Sequence, residues 1–271
     1  MNSKYPLFSY LVASASHFSF RFIFKLYGFA NAFLSGFWLG IMGEKSLDAV
    51  DEISYSQKNL YTNEDYNMSG LFNWEKEMID KHFRHARNLL LIAVGGGREV
   101  FALIKLGFKV EGYECNPKLV EFGNALLEKL EMPDRIKLLP RDHVPPGSGE
   151  YDGIIVGWGA YSHIRGREKR KQFINKLLPL LKWKAPLMIS FVTRKVDTTH
   201  DKIIIYVSSF FRFLRGISRT EHGDRLNYNY FHYFRKDEIF SELQACQFRV
   251  LDFYDKEYGC AVAEKIMSDT L

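Results

Sequence analysis

The sequence predicts an α/β protein: an open, mostly parallel sheet of seven strands, wound on both faces by helices, finished by a C-terminal antiparallel hairpin and preceded by an N-terminal helical extension. Three observations predict it. From about residue 88 onward, short apolar runs alternate with amphipathic stretches, the pattern of a parallel sheet with crossover helices. The last two apolar runs, Phe248 to Tyr254 and Gly259 to Glu264, are joined by a turn too short for a crossover, so they must pair antiparallel. Residues 1 to 43 hold twelve Phe, Tyr or Trp side chains and no Asp or Glu, which sets them apart from everything downstream. A division near residue 84 follows, with an aromatic-rich helical extension or lid over 1–84 and the sheet domain over 85–271.

In the extension, Arg21 and Lys25 break the uncharged runs Tyr5 to Phe20 and Tyr27 to Gly43. Each run is shorter than the roughly 20 apolar residues that cross a bilayer, so no spanning helix is expected. Phe22, Leu26, Phe29, Phe33 and Phe37 recur at helical spacing and predict one aromatic face. No small-residue cleavage site follows the apolar core, so the segment does not read as a signal peptide. Its face suits packing against the main domain, a lid, a contact with a second subunit in a homodimer, or an in-plane membrane anchor with Arg21 and Lys25 among headgroups. The apolar stretch Ile203 to Ile217 presents the same alternatives.

In the sheet domain, strands are expected at Leu89 to Val94, Lys109 to Tyr113, Arg135 to Leu139, Tyr151 to Gly157 and Leu187 to Val192. Helices are expected at Arg98 to Leu106, at Pro117 to Glu131 with Asn116 as its cap, at Glu168 to Leu181 and at Lys236 to Cys246. The composition excludes several classes. With 46% hydrophobic and 25% charged residues, the chain is neither disordered nor a polytopic membrane protein, and a formal net charge of +5 is too small for a nucleic-acid-binding stripe. Cys115, Cys246 and Cys260 form no CxxC pair and are odd in number, which points to a reducing, cytoplasmic setting and to no bound metal.

The chemistry concentrates at strand ends. After the first strand comes Gly95-Gly96-Gly97, where backbone can approach a ligand at a helix N-terminus. Glu114 ends the second strand, placed to accept from the ribose hydroxyls of an adenosine ligand. Asp142 follows the third, placed to accept from an adenine amino group. Glycine, acid and acid at three successive strand ends are far more specific together than any one of them alone.

On these residues, with Asn116-Pro117, Tyr151-Asp152-Gly153-Ile154 and the terminal hairpin, residues 70 to 266 resemble the class I S-adenosylmethionine-dependent methyltransferases, a Rossmann-like doubly wound family. The resemblance implies S-adenosylmethionine as cofactor. Gly95 and Gly97 would lie along its methionine part, Glu114 on its ribose and Asp142 on its adenine; Gly96, Cys115, Asn116, His143 and Gly157 complete the expected cofactor contacts. Two positions depart from the family pattern, since Ala93 stands where an acidic residue is usual and Glu99 where a third glycine is usual. Glu99 or the upstream segment is then left to hold the amino group, and Tyr66 to Glu75 reads either as a cover of the site or as a linker and helix start with Asn73 capping and Trp74 packed.

Beyond the fourth strand the chain reads Gly157-Trp158-Gly159-Ala160-Tyr161-Ser162-His163. Methyltransferases of DNA-base amines usually carry an acid or Asn, then Pro-Pro and an aromatic there, so nucleic acid is not the expected substrate. A small apolar or aromatic acceptor is, with Trp158, Tyr161 and Tyr230 shaping its pocket and His163 or His232 taking a proton. The expected reaction is methyl transfer by in-line displacement, with oxygen favoured over nitrogen or carbon. The rival readings are a nicotinamide-dependent oxidoreductase on the same turn, and a non-catalytic membrane-surface or partner-binding protein with a vestigial site. The basic cluster Arg165, Arg167, Lys169, Arg170 and Lys171 is expected to be a solvated face.

Overall fold

The computed structural model describes residues 7–147, 151–256 and 258–266, with side chains in the first helix from residue 18 onward and at 16. The Tyr5 to Phe20 run therefore lies partly outside the described residues. In chain order the elements are α1 (Leu7–Ile41), α2 (Glu44–Gln57), α3 (Glu64–Met68), α4 (Asn73–His82), β1 (Asn88–Ile92), α5 (Arg98–Lys105), β2 (Lys109–Glu114), α6 (Pro117–Lys129) and β3 (Ile136–Leu138). They continue with β4 (Gly153–Val156), α7 (Arg167–Leu177), β5 (Pro186–Thr193), α8 (Thr199–Leu214), β6 (Asp224–Leu226), β7 (Tyr230–Phe234), α9 (Lys236–Ala245), β8 (Phe248–Tyr254) and β9 (Gly259–Lys265).

These elements form two compact units, one within Met1–Gly43 and Asp197–Asn227, the other Glu44–Val196 with Tyr228–Leu271. The division differs from the expected boundary at residue 84. Residues 44 to 84 belong with the sheet because α4 contributes Trp74, Met78 and Ile79, with Phe83 just after it, to the sheet's core. Residues 197 to 227, an insertion between β5 and β7, join α1 instead.

In the sheet unit β3-β2-β1-β4-β5 are parallel, with β9 antiparallel beside β5 and β8 antiparallel beside β9. The order reverses between β1 and β4, the switch point at which open α/β sheets bind ligands. Leu90 and Ile92 face one core, with Phe173, Ile174 and Leu177 of α7 and Ile239 and Leu243 of α9. Leu89 and Leu91 face the other, with Val100, Phe101 and Leu103 of α5 and Leu126 and Leu127 of α6. The period-2 alternation of a strand apolar on both faces thus yields the two helical layers.

The expected strands and helices of this unit are present, including Asn116 as cap of α6, its side chain accepting from Lys118 N at 3.0 Å. Two strands go beyond the expected seven, β6 and β7. The aromatic run Tyr230–Phe234 forms β7, which pairs in parallel with the end of β5 and buries Tyr230, His232 and Phe234 in alternation.

The basic cluster is not a plain solvated face. Arg170 is buried, and its Nη2 donates to Glu242 Oε1 at 2.7 Å while the Tyr161 hydroxyl donates to Glu242 Oε2 at 2.7 Å. Arg165 pairs with Asp48 and Asp51, and Lys169 with Glu44. The Arg170–Glu242 pair joins α7 to α9 in the interior, where a charge left without its partner is costly. Glu242→Ala is expected to destabilise the protein by about 3–5 kcal/mol, and replacing Arg170 by Met in addition should recover much of that loss; urea unfolding of the single and double variants reads both.

Candidate functional site

The site starts from the turn after β1. Ala93 enters it with a left-handed backbone (φ 62°), and Gly97 leaves it at φ 106°, a conformation that a side chain makes costly. Gly96 is constrained by space: a Cβ there would collide with the carbonyl oxygen of Tyr61 and crowd the Asn67 amide. Asn67 in turn donates to Tyr61 O at 3.0 Å and to Asn63 O at 2.8 Å, so the segment 61 to 67 is seated directly on the glycine turn.

Glu114, at the end of β2, holds this turn in place. Its Oε2 accepts from Gly95 N at 2.8 Å, and its Oε1 from Cys115 N and Asn116 N at 2.9 Å. Three backbone donors take most of the roughly four lone-pair positions of this carboxylate, and the Cys115 thiol shares what remains. Asp142, after β3, is placed differently. It is half-buried in a left-handed conformation (φ 60°), and its Oδ1 is buried with no hydrogen-bond partner. Burial raises its carboxyl, with Arg141 and Arg165 opposing.

A cleft of about 330 Å³ joins these residues, lined by Ala93, Gly95, Glu114, Cys115, Asn116 and Asp142 on one side. Across it stand Tyr55, Tyr61, Trp158 and His163, with Asp48, Glu52 and Arg141 beside them. Burial pushes the Cys115 thiol up to about 12, so it is uncharged at neutral pH. Four carboxylates against a single guanidinium give the cleft negative character.

His163 ends a 3₁₀ turn (Ala160–His163) that follows β4. Its Nε2 lies 2.6 Å from the Tyr55 hydroxyl, and its ring packs 4.3 Å from that of Phe231. Burial pushes the imidazole down to about 3, helped by Arg141 and Lys58, so it is neutral and Tyr55 donates to it. The same burial raises the Tyr55 hydroxyl well above its ordinary value.

Several expected site residues lie elsewhere. Tyr161 is fully buried, its ring stacked near Phe234 and its hydroxyl on Glu242, so it points into the core and not into the cleft. His232 packs beside the Phe234 ring, 4.5 Å away, and is not among the cleft-lining residues. Tyr230 is buried as well; its N–H donates to Asp51 at 2.8 Å and its ring lies under Arg165. His143 is exposed, its Nδ1 2.8 Å from Arg141 O. Gly157 and Glu99 border a much smaller hollow with Trp74, Glu75 and Trp158.

Glu99 is engaged by Arg98, whose guanidinium donates to it at 2.9 Å, to both oxygens of Glu75 at 2.6 and 2.7 Å and to Gly70 O at 2.8 Å, and lies on the Phe72 ring. The expected covering segment, Tyr66 to Glu75, is thereby clamped at its far end by buried ion pairs. The side chains that reach the cleft come from further upstream. Asp48, Glu52 and Tyr55 of α2, together with Asp51, recur at positions i, i+3, i+4 and i+7 of one helical face. That spacing was available in the sequence. Asp51 is fully buried and accepts from Tyr230 N, Arg141 and Arg165, which ties α2 to the sheet.

No family model matches the sequence, and no curated protein matches it either. Solved structures do match in shape. A SAM-dependent methyltransferase of Methanosarcina mazei is 16% identical with a TM-score of 0.58, over 73% of this chain and 100% of that one. The 1,6-didemethyltoxoflavin-N1-methyltransferase of Burkholderia thailandensis, solved with 1,6-didemethyltoxoflavin and S-adenosylhomocysteine, is 16% identical with a TM-score of 0.58, over 84% of this chain and 92% of that one. The [4+2]-cyclase SpnF is also similar, at 10% identity and a TM-score of 0.53, over 72% of this chain and 80% of that one. With the strand order 3-2-1-4-5, the antiparallel β8–β9 hairpin and the glycine turn at the switch point, the chain has the fold of the class I S-adenosylmethionine-dependent methyltransferases.

Proposed function

We propose that this protein is an S-adenosylmethionine-dependent methyltransferase of a small acceptor molecule, with oxygen as the methylated atom. The observation that carries the reading is Asp142 Oδ1, a buried acceptor with no partner, in the same cleft as Glu114 and the glycine turn. A buried acceptor is stable only when a donor meets it, and an adenine amino group is such a donor. Glu114 would take a ribose hydroxyl at the acceptor position that the Cys115 thiol shares, and the turn at Gly95 would run beside the amino-acid part. The acidic cleft suits a cationic sulfonium. When bound, the cofactor supplies an already electrophilic methyl group, so alignment is the main task of the protein.

Tyr55, Tyr61 and Trp158 form an aromatic wall suited to a flat apolar acceptor. His163 is poorly matched to general-base work, because an imidazole held near 3 carries a proton unwillingly at neutral pH. Its hydrogen bond to Tyr55 instead orients that hydroxyl at the cleft wall. An acceptor oxygen that arrives ionised, or that loses its proton to Glu52 at the cleft rim, needs no strong base.

Thermal unfolding with S-adenosylmethionine, S-adenosylhomocysteine, NADH and NADPH tests the class. The two sulfur nucleosides are expected to raise the midpoint and the nicotinamides to leave it in place; the reverse pattern would establish the oxidoreductase instead, and no shift at all a vestigial site. Asp142→Asn keeps a residue that tolerates the left-handed backbone and removes the charge, so cofactor affinity should fall by about 1 kcal/mol, roughly fivefold, with the unliganded protein no less stable. Calorimetric titration of the variant measures it.

Two further outcomes concern His163. Its folded pKa lies below the unfolded value near 6.5, so the neutral ring's contribution is fully present above pH 6.5 and is lost as pH falls toward 3. The stability advantage of the wild type over His163→Gln should therefore shrink over that window by at most about 1.4 kcal/mol per pH unit, as read by urea unfolding at several pH values. Because His163 acts through Tyr55, Tyr55→Phe and His163→Gln should lower turnover of an identified acceptor to a similar extent. A loss of roughly 100-fold or more confined to His163→Gln would restore the histidine as base.

A further inference from the structure

The helical unit packs the reverse of a water-soluble helix pair. Helices α1 and α8 run side by side in the same direction, with Gly28 against His200, Gly36 against Ile204 and Val207, and Gly40 against Ser208 and Phe211. Gly28, Ala32, Gly36 and Gly40 recur every four residues, and from Ala32 onward the seam they form with Ser35 and Ser208 is buried. A Cβ at Gly36 would come within 2.8 Å of the Ile204 carbonyl oxygen, so the backbones meet with no room for larger side chains. Small residues on the α1 side of the seam, with most of the aromatic rings turned outward, describe helix packing in lipid, where burying an aromatic ring against protein brings no hydrophobic gain.

The outside carries the large residues. From Phe18 to Tyr27 every residue of α1 is exposed, on all sides of the helix, with Phe18 at 72% and Tyr27 at 65%. On α8, Tyr206, Phe210, Phe213 and Leu214 are exposed too, Phe213 at 80%. An apolar surface of this extent marks an interaction site. The exposed charges of the two helices all have one sign, namely Arg21, Lys25 and Lys202, and their single carboxylate, Asp201, is buried and paired with Arg225. Arg21 and Lys25, four residues apart, continue the stripe of Gly28 and Ala32, so cations occupy one side of α1 and aromatic rings the rest.

We infer that the α1–α8 pair docks this protein in the plane of an anionic lipid bilayer, with the aromatic residues among the acyl chains and Arg21 and Lys25 at the headgroups. A basic stripe beside a broad aromatic surface is the form of an interfacial helix. At 1.5 Å per residue the 16 residues of α8 extend about 24 Å, short of the roughly 30 Å of hydrocarbon. Phe18–Ile41, 24 residues with an 18-residue window of mean hydropathy 1.2, is long and apolar enough to cross, but a crossing would place Arg21 and Lys25 within the span. The inference does not rest on the reading of the cleft.

Flotation of the full-length protein with phosphatidylcholine vesicles, with and without 30% phosphatidylserine, tests it. The protein is expected to float with the anionic vesicles, and at least several-fold less with neutral ones or in 0.5 M NaCl. The double variant Arg21→Glu/Lys25→Glu and the variant Phe213→Ser, both altered only at exposed positions, should float less while keeping the wild-type circular dichroism spectrum. Protein that stays at the bottom with every vesicle overturns the inference, and a dimer in light scattering under those conditions would assign the face to a second copy of the chain. Retention in the membrane through carbonate extraction at pH 11 would overturn the in-plane placement in favour of a crossing helix.

Discussion

The cleft depends on a carboxylate that is already occupied. Glu114 takes the N–H groups of Gly95, Cys115 and Asn116, and so fixes the distance between the turn after β1 and the end of β2. Charge-assisted bonds of this kind are stronger than neutral ones and demand a single geometry. Everything else at the site follows from that tie. The turn at Gly96 is then in position to take the Tyr61 carbonyl, which brings the Tyr61 ring to the cleft wall, and Asn116 is held where it caps α6 and reaches Ser56 of α2 at 3.1 Å. The residue proposed to meet a ligand is therefore also a structural tie, and substituting it would disturb the turn as well.

The walls added upstream of the sheet are fastened in the same currency of buried charge. Asp51 secures α2 through Arg141, Arg165 and the Tyr230 N–H, while Glu75 and Glu99 secure the stretch before α4 through Arg98. Burial raises the Glu75 carboxyl, and the hydrogen bonds from Arg98 oppose it. Such pairs gain little net stability over apolar packing, but they admit one arrangement where a greasy contact admits several. For a cleft wall that must present Tyr55 and Tyr61 at set positions, that selectivity matters more than the energy.

The order of strands, the crossover helices and the terminal hairpin were legible because they are written in periodicity, which is local and one-dimensional. That Glu114 and Asp142 would come to one cleft was legible because both stand at strand ends of a parallel sheet. What was not legible depends on direction. Trp158 and Tyr161 stand three residues apart after the same strand, yet Trp158 lines the cleft and Tyr161 is drawn into the core by Glu242, a partner 81 residues away. β7 escaped notice because an unbroken aromatic run hides the alternation of a half-buried strand, visible only once Tyr230, His232 and Phe234 are seen to be the buried ones. The domain boundary was misplaced for a similar reason, since an insertion more than 150 residues downstream of α1 belongs with it.

The two units obey opposite rules of solvation. In the sheet unit Leu, Ile, Val and Phe are inside, and the buried charges are paired; in the helical unit Ala32, Ser35, Gly36, Gly40 and Ser208 are inside beside Leu39, Ile204 and Leu226, while most of the Phe and Tyr rings are outside. Exposing ten consecutive residues of an aromatic helix forfeits the largest favourable term in folding, and that is the cost the proposed bilayer contact would relieve. All fifteen residues that line the cleft fall between Asp48 and His163, within the sheet unit. The cleft and the aromatic helices are thus separable, so a variant at Phe213 or Arg21 can lose its surface while Glu114, Asp142 and the glycine turn remain as they are.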